Sequence, residues 1–381
     1  MLSPSMPRFS RKTGQTALNL SFCACVCASV AFVPAVAQAN PYLDGIRQLS
    51  LAGSGRASST GVDAILVNPS AVTTTQQFSI MPVYQYSVAR NGHALGAFIL
   101  DSLNNPRFGL GLGYTFYRAE QSIGYSTPEG APERVDTLNL GHEAYGVLSV
   151  RLFKGIWHLA MKPKWQYSVF QYRDDEGQVQ NLKDKMNTFG LDVATTISIL
   201  QWARVSVSGE NLVGVDPVPW SSEQVGLSGI EVLEGVPLDF SKIPRVSGAP
   251  RTLTHSLAVF PLGDLRLSLN VDGVYDFTSY WDSDDDGDGK ADKHTRLMYG
   301  GGVEFVAGPV PIRVGGSWDQ RGPSEDDDRA YVGAGAGFVQ TAGEGGVGWE
   351  VGLGFSQQVS GPRQLDTIIG AHVGLRLRPQ L

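Results

Sequence analysis

The sequence predicts an all-β protein: a transmembrane antiparallel β-barrel of about 14 strands. Three observations carry this prediction. They are a leader for export, segments of about ten residues in which apolar and polar side chains alternate, and connections that are short at every second position.

The leader comes first. Residues 1–12 carry Arg8, Arg11 and Lys12 and no acid, an apolar run follows from Leu18 to Val33, and Ala37-Gln38-Ala39 supplies small residues for cleavage before Asn40. The domain reading is therefore a signal peptide at 1–39, an N-terminal segment at 40–76 and an outer-membrane barrel at 77–381. Cys23, Cys25 and Cys27 are the only cysteines and all lie in the leader, so the exported chain carries no disulfide. That favours a barrel over a soluble secreted protein stapled by disulfides. Removing residues 1–39 also takes the formal charge from −7 to −10, which excludes nucleic acid as an expected partner. No stretch after the leader approaches the ~20 apolar residues of a membrane helix, so any crossing is made by strands.

Fourteen strands are expected at 77–90, 92–102, 106–120, 136–153, 155–172, 187–200, 202–212, 251–261, 263–280, 295–305, 309–319, 329–341, 345–357 and 365–378. The pattern is clearest where Leu265, Leu267, Leu269, Val271, Tyr275 and Phe277 alternate with Arg266, Ser268, Asn270, Asp272 and Asp276. Trp157, Leu159, Met161 and Trp165 likewise oppose His158, Lys162 and Lys164; Ile312, Val314 and Trp318 oppose Arg313, Ser317 and Asp319; Ile369, Val373 and Leu375 oppose His372 and Arg376. A soluble sandwich also alternates, but the strand length, the aromatics near strand ends and the repeated charges on one face fit a lipid-facing wall. Short connections fall at 103–105, 154, 201, 262, 306–308 and 342–344, and longer ones lie between them, as expected for periplasmic turns and outer loops. Asn91-Gly92 breaks the rule with a tight hairpin among the outer connections.

Ahead of the first strand, residues 49–72 combine small residues (Gly53, Gly55, Ala57), then Asp63-Ala64, an apolar run and Asn68-Pro69. This opening resembles the N-terminal signature of the long-chain fatty acid transporter family of bacterial outer-membrane barrels, and the related type IX secretion barrel proteins carry a similar one. The resemblance implies a fourteen-stranded barrel in whose lumen residues 40–76 form an N-terminal hatch or plug, with hydrophobic cargo captured outside and released sideways or inward. Carried over to this chain, Gly55, Arg56, Asp63, Asn68 and Pro69 are the hatch positions. Gly and Ala allow close packing inside a barrel, and Asn-Pro favours a turn before the strand. A structural plug and a gate both satisfy these residues.

Of the outer connections only 213–250 is long enough to build a capture groove, and Trp220, Leu227, Ile230, Leu233 and Phe240 are its candidate ligand-capturing residues. A loop capped by its own apolar residues is the competing reading. In the connection after residue 280, Asp284, Asp286, Asp288, Lys290 (through its carbonyl) and Asp292 have the 1-3-5-7-9 spacing of a calcium loop with Gly289 at position 6. Thr295 at position 12 replaces the bidentate glutamate, so a calcium site here would be weak, ~10⁻⁴–10⁻³ M in Kd, and the competing reading is a solvated acidic loop.

The six histidines are scattered singly and read as lumen residues of the strands; no catalytic constellation, phosphate loop or zinc spacing is present, and the chain is expected not to be an enzyme. The lumen face should carry Lys162, Lys164, Arg266, Arg313 and Arg376 beside Asp272, Asp276, Asp319 and Glu304, either paired with one another or offered to a carboxylate headgroup. Expected partners are outer-membrane lipid and a hydrophobic small-molecule cargo such as a long-chain fatty acid. The alternative is a non-transporting barrel that docks a secreted or surface protein.

Overall fold

The structure is a computed structural model, described for residues 43, 45–88, 91–126, 132–173, 179–213, 251–283, 292–320, 328–340, 346–361 and 367–377. All fourteen expected strands form. They are β1 Phe78–Ser87, β2 Gly92–Asp101, β3 Phe108–Ser126, β4 Pro132–Leu152, β5 Trp157–Arg173, β6 Val179–Ile199 and β7 Ala203–Val213. The second half holds β8 Thr252–Val259, β9 Leu267–Ser283, β10 Asp292–Ala307, β11 Val310–Gln320, β12 Arg329–Gln340, β13 Val347–Ser360 and β14 Thr367–Leu377. Each pairs antiparallel with its sequence neighbours, and β1 also pairs with β14 from Phe78↔Leu377 to Ser87↔Ile368, closing the barrel.

Closure leaves no strand edge unpaired, the condition for a sheet to sit in an apolar solvent. Alternation then decides which side chains face out. In β2 the burial alternates residue by residue, with Leu95 and Ile99 exposed and Phe98 and Leu100 fully buried. The outside carries a broad apolar belt, including Leu112, Phe189, Leu353 and Val373. Aromatic residues cluster toward both ends of the belt. Tyr84, Tyr114, Trp165 and Tyr167 lie toward the long connections, and the stacked pairs Phe153–Trp157 and Phe338–Trp349 lie near the short turns. Paired girdles of this kind mark the two interfaces of a bilayer. No described helix is long and apolar enough to cross a membrane.

Short turns of up to seven residues join β2–β3, β4–β5, β6–β7, β8–β9, β10–β11 and β12–β13 at one end. The β1–β2 hairpin at the other end is short as well, with Asn91 at φ 41°. Strands β3, β4 and β6 run well beyond the expected ends, to 19, 21 and 21 residues, because backbone pairing continues past the apolar belt where polarity no longer alternates.

Candidate functional site in the barrel lumen

Residues 45–77 fold inside the barrel as helix α1 (Ile46–Ser50), helix α2 (Val62–Val67) and a 3-10 helix (Pro69–Thr74), nearly all buried. Helices this short do not persist alone in water, so packing against the wall holds them. The wall makes room with glycine. A Cβ at Gly333 would lie 2.5 Å from the Leu49 carbonyl oxygen and 2.9 Å from the Ala52 nitrogen, and one at Gly315 would strike the backbone of Leu51. The backbone of α1 therefore rests directly on β11 and β12.

Toward β1–β4 the contact is apolar. Val62, Ala64, Ile65, Ala71 and Val72 pack with Met81, Val83, Phe98, Leu100, Tyr145 and Val147 in one cluster. Toward β9–β11 it is ionic. Arg47 donates through Nε to Glu304 Oε2 (2.8 Å), through Nη1 to the Gly55 carbonyl (2.8 Å) and through Nη2 to Ser58 Oγ (2.6 Å), while Arg313 donates to the same Glu304 oxygen (2.6 Å). Arg56 binds Asp272 through its backbone N–H (3.0 Å) and guanidinium (3.3 Å). Ser58 donates to Asn270.

The 3-10 helix is pinned to β4–β6 by hydroxyls: Ser70 to Thr196 (2.7 Å), and Thr73 to Ser149 (3.0 Å) and His158 (2.8 Å). Asn68 donates to the Arg56 carbonyl (3.0 Å) and Thr196 Oγ1 (3.1 Å), tying the two ends of the segment together.

The five expected hatch residues thus all belong to the lumenal segment. Gly55 has φ 98° and presents its carbonyl to Arg47, a left-handed conformation that favours glycine. Pro69 opens the 3-10 helix and Asp63 stands buried in the first turn of α2.

The expected capture residues Trp220, Leu227, Ile230, Leu233 and Phe240 lie outside the described residues, as do Asp284, Asp286, Asp288 and Lys290; Asp292 begins β10 opposite Ser283. Among the described residues no group of three metal-ligating side chains comes together.

The lumen charges pair with one another: Lys162 and Lys164 with Asp192 (3.1 and 2.8 Å), Arg296 with Asp319 (2.7 Å) and Asp276 (3.6 Å), and Arg376 with Glu350. Arg266 departs from expectation. β9 begins only at Leu267, and Arg266 lies exposed in the preceding turn, bonded to Asp264 two residues back (2.8 Å). Three histidines also depart from the lumen reading: His93, His142 and His255 lie on the outer face among tyrosines, whereas His158 and His372 are buried inside. Arg47, Asp192 and Glu350 were not singled out from the sequence, since a charge in a five-residue helix or an isolated strand acid carries no period.

One place in the wall is thin. The β4–β5 ladder runs to Tyr145↔Lys164 and resumes at Leu148↔Met161, skipping Pro163, which has no N–H to donate. Here a groove of about 620 Å³ opens between outward-facing Ile80, Ile99, Leu112, Tyr114, Trp165 and Phe189. Phe98 and Tyr145, two members of the interior cluster, line it too, and their rings stack 6.2 Å apart.

No protein-family model and no curated protein sequence matches the chain. Solved structures do resemble it in fold. The monoaromatic hydrocarbon channel CymD superposes with a TM-score of 0.56 at 11% identity, covering 88% of this chain and 98% of its own. A FadL homologue from Pseudomonas aeruginosa gives 0.51 at 12% identity over 90% and 98%, and the Pseudomonas putida toluene transporter TodX gives 0.51 at 11% over 90% and 99%. The chain shares its overall fold with these structures.

Proposed function

We propose that this protein is an outer-membrane channel for hydrophobic small molecules such as long-chain fatty acids, with the lumenal segment as its gate and no enzymatic activity of its own. The observation that carries the reading is the continuity of apolar surface: Phe98 and Tyr145 belong both to the cluster between the segment and β1–β4 and to the groove on the outer wall. A cargo passing along that side meets mainly apolar side chains, passes Lys162 and Lys164 where they are paired with Asp192 beside Tyr145, and reaches the bilayer at the β4–β5 gap without crossing the ion pairs of β9–β11. The fold it shares with hydrocarbon channels and a FadL homologue agrees. Cargo capture belongs to the 213–250 connection in this reading, and calcium bound in the connection between β9 and β10 would stiffen the rim.

The test is uptake of labelled oleate by cells lacking the protein, complemented with the intact chain or with residues 40–72 deleted, with surface expression checked for each. Intact protein should raise uptake and the deletion should change it. Uptake no greater than in the empty strain, with the barrel correctly inserted, would favour the alternative of a plugged barrel that docks a secreted or surface protein.

A further inference from the structure

We propose that the cavity at the short-turn mouth of the barrel is a binding site for a small anionic group, a carboxylate or phosphate, with Arg204 as its principal ligand and Arg151 as its second cation. The cavity holds about 260 Å³ between the end of the 3-10 helix and the turns that follow β4, β6 and β8, and its lining includes Arg151, Gln201, Arg204, Phe260 and Leu265. Arg204 is the second residue of β7. Alternation with exposed Val205 and Val207 and buried Ser206 and Ser208 turns it inward, and its guanidinium lies 5.4 Å over the Phe260 ring.

Its Nη1 is buried and meets no acceptor, and among the described residues no carboxylate pairs with it. Arg47, Arg56, Arg296, Arg313 and Arg376, also inside the barrel, each have an acid. A guanidinium half withdrawn from water without an anion is costly, and its planar fork matches a carboxylate or phosphate in two-point contact. Among the described residues Arg151 likewise has no acid, its guanidinium donating a long bond to the Lys154 carbonyl (3.4 Å).

The other titratable groups at the cavity are committed elsewhere. His158 Nε2 faces the Gly155 carbonyl (3.1 Å) and so carries a proton, and Nδ1 is hydrogen-bonded with the Thr73 hydroxyl (2.8 Å), so both ring nitrogens are used. Asp264 at the rim is turned to Arg266, accepting from its backbone N–H (2.9 Å) and its Nε (2.8 Å). The volume lies below the ~300–1,000 Å³ of sites that enclose a drug-sized ligand, so it suits a headgroup and the first methylenes behind it, with Leu200, Phe260 and Leu265 beside them.

Binding to the purified barrel tests this independently of uptake. The folded protein in neutral maltoside micelles is titrated calorimetrically with hexanoate, hexanol and inorganic phosphate, and heat-modifiable gel migration verifies each variant's fold. Hexanoate should saturate one site and hexanol should not bind it. Arg204→Gln should weaken hexanoate about tenfold or more, and Arg204→Lys should restore part of the loss. Competition by phosphate would extend the site to free inorganic anions, and its failure would restrict the site to carboxylates. No saturable hexanoate binding, equal binding of hexanol, or a folded Arg204→Gln barrel as tight as wild type would overturn the proposal. Should Arg204→Gln not fold, unchanged affinity in both Arg204→Lys and Arg151→Gln does so.

Discussion

The two sides of the lumenal segment meet the wall by different physics. Toward β1–β4 the contact is an apolar cluster, joined to β4 at one edge by neutral hydroxyl bonds from Ser149 to Thr73 and Ser70; toward β9–β11 it is a set of directed charge pairs centred on Glu304 and Asp272. Apolar contact is non-directional and survives small displacements, whereas an ion pair drawn out of its geometry leaves a buried charge behind. The ionic side therefore sets where the segment sits, and the apolar side is where it can shift.

The largest effect should come from stranding charge. Glu304→Ala leaves Arg47 and Arg313 without their shared acid and should cost about 3–5 kcal/mol in reversible urea unfolding from lipid vesicles. On the apolar side, Ile65→Ala removes a fully buried side chain packed over Gly111, at about 2–4 kcal/mol. An Ile65→Ala loss equal to or above that of Glu304→Ala would reverse the assignment of which side anchors the segment.

A double-mutant cycle sharpens the contrast. Arg56→Ala and Asp272→Ala should show a coupling of about 1–3 kcal/mol, with the double variant more stable than the sum of the singles implies. Gly315→Ala pushes a methyl group into the backbone of Leu51 and should cost about 1–3 kcal/mol. The smallest change in stability, within about 0.5 kcal/mol, is expected for Gly146→Trp, because a Cβ there meets nothing nearer than Leu112 Cδ2 at 4.0 Å. That variant fills the outer groove and should nevertheless depress oleate uptake in the same cells. Full uptake with a filled groove would move the exit away from the β4–β5 gap.

The barrel was legible because each strand reports its own two faces. Ser268, Asn270 and Asp272 are buried and Phe277 is exposed, as the alternation requires. The pattern failed where its cause stops. Val179–Met186 extends β6 through backbone pairing with β5 ahead of the expected start at 187, and Arg266 continues the alternation on paper although the Asp264 turn claims it. Within the interior, Arg56 falls inside the stretch that resembles the family signature, while Arg47, which makes three hydrogen bonds there, lies ahead of that stretch with no pattern to announce it. The pairing of Glu304 with two arginines from different parts of the chain is a tertiary fact that no local spacing encodes.

The seat of α1 bears on how the chain is put together. Ile46 fills the hollows left by Gly354 on β13 and Gly370 on β14, the final two strands, so the first helix has no complete resting place until the last part of the chain is laid down. Plugging and ring closure are then one late event joining sequence extremes, and assembly should be slow and intolerant of C-terminal truncation even when every earlier hairpin is already formed.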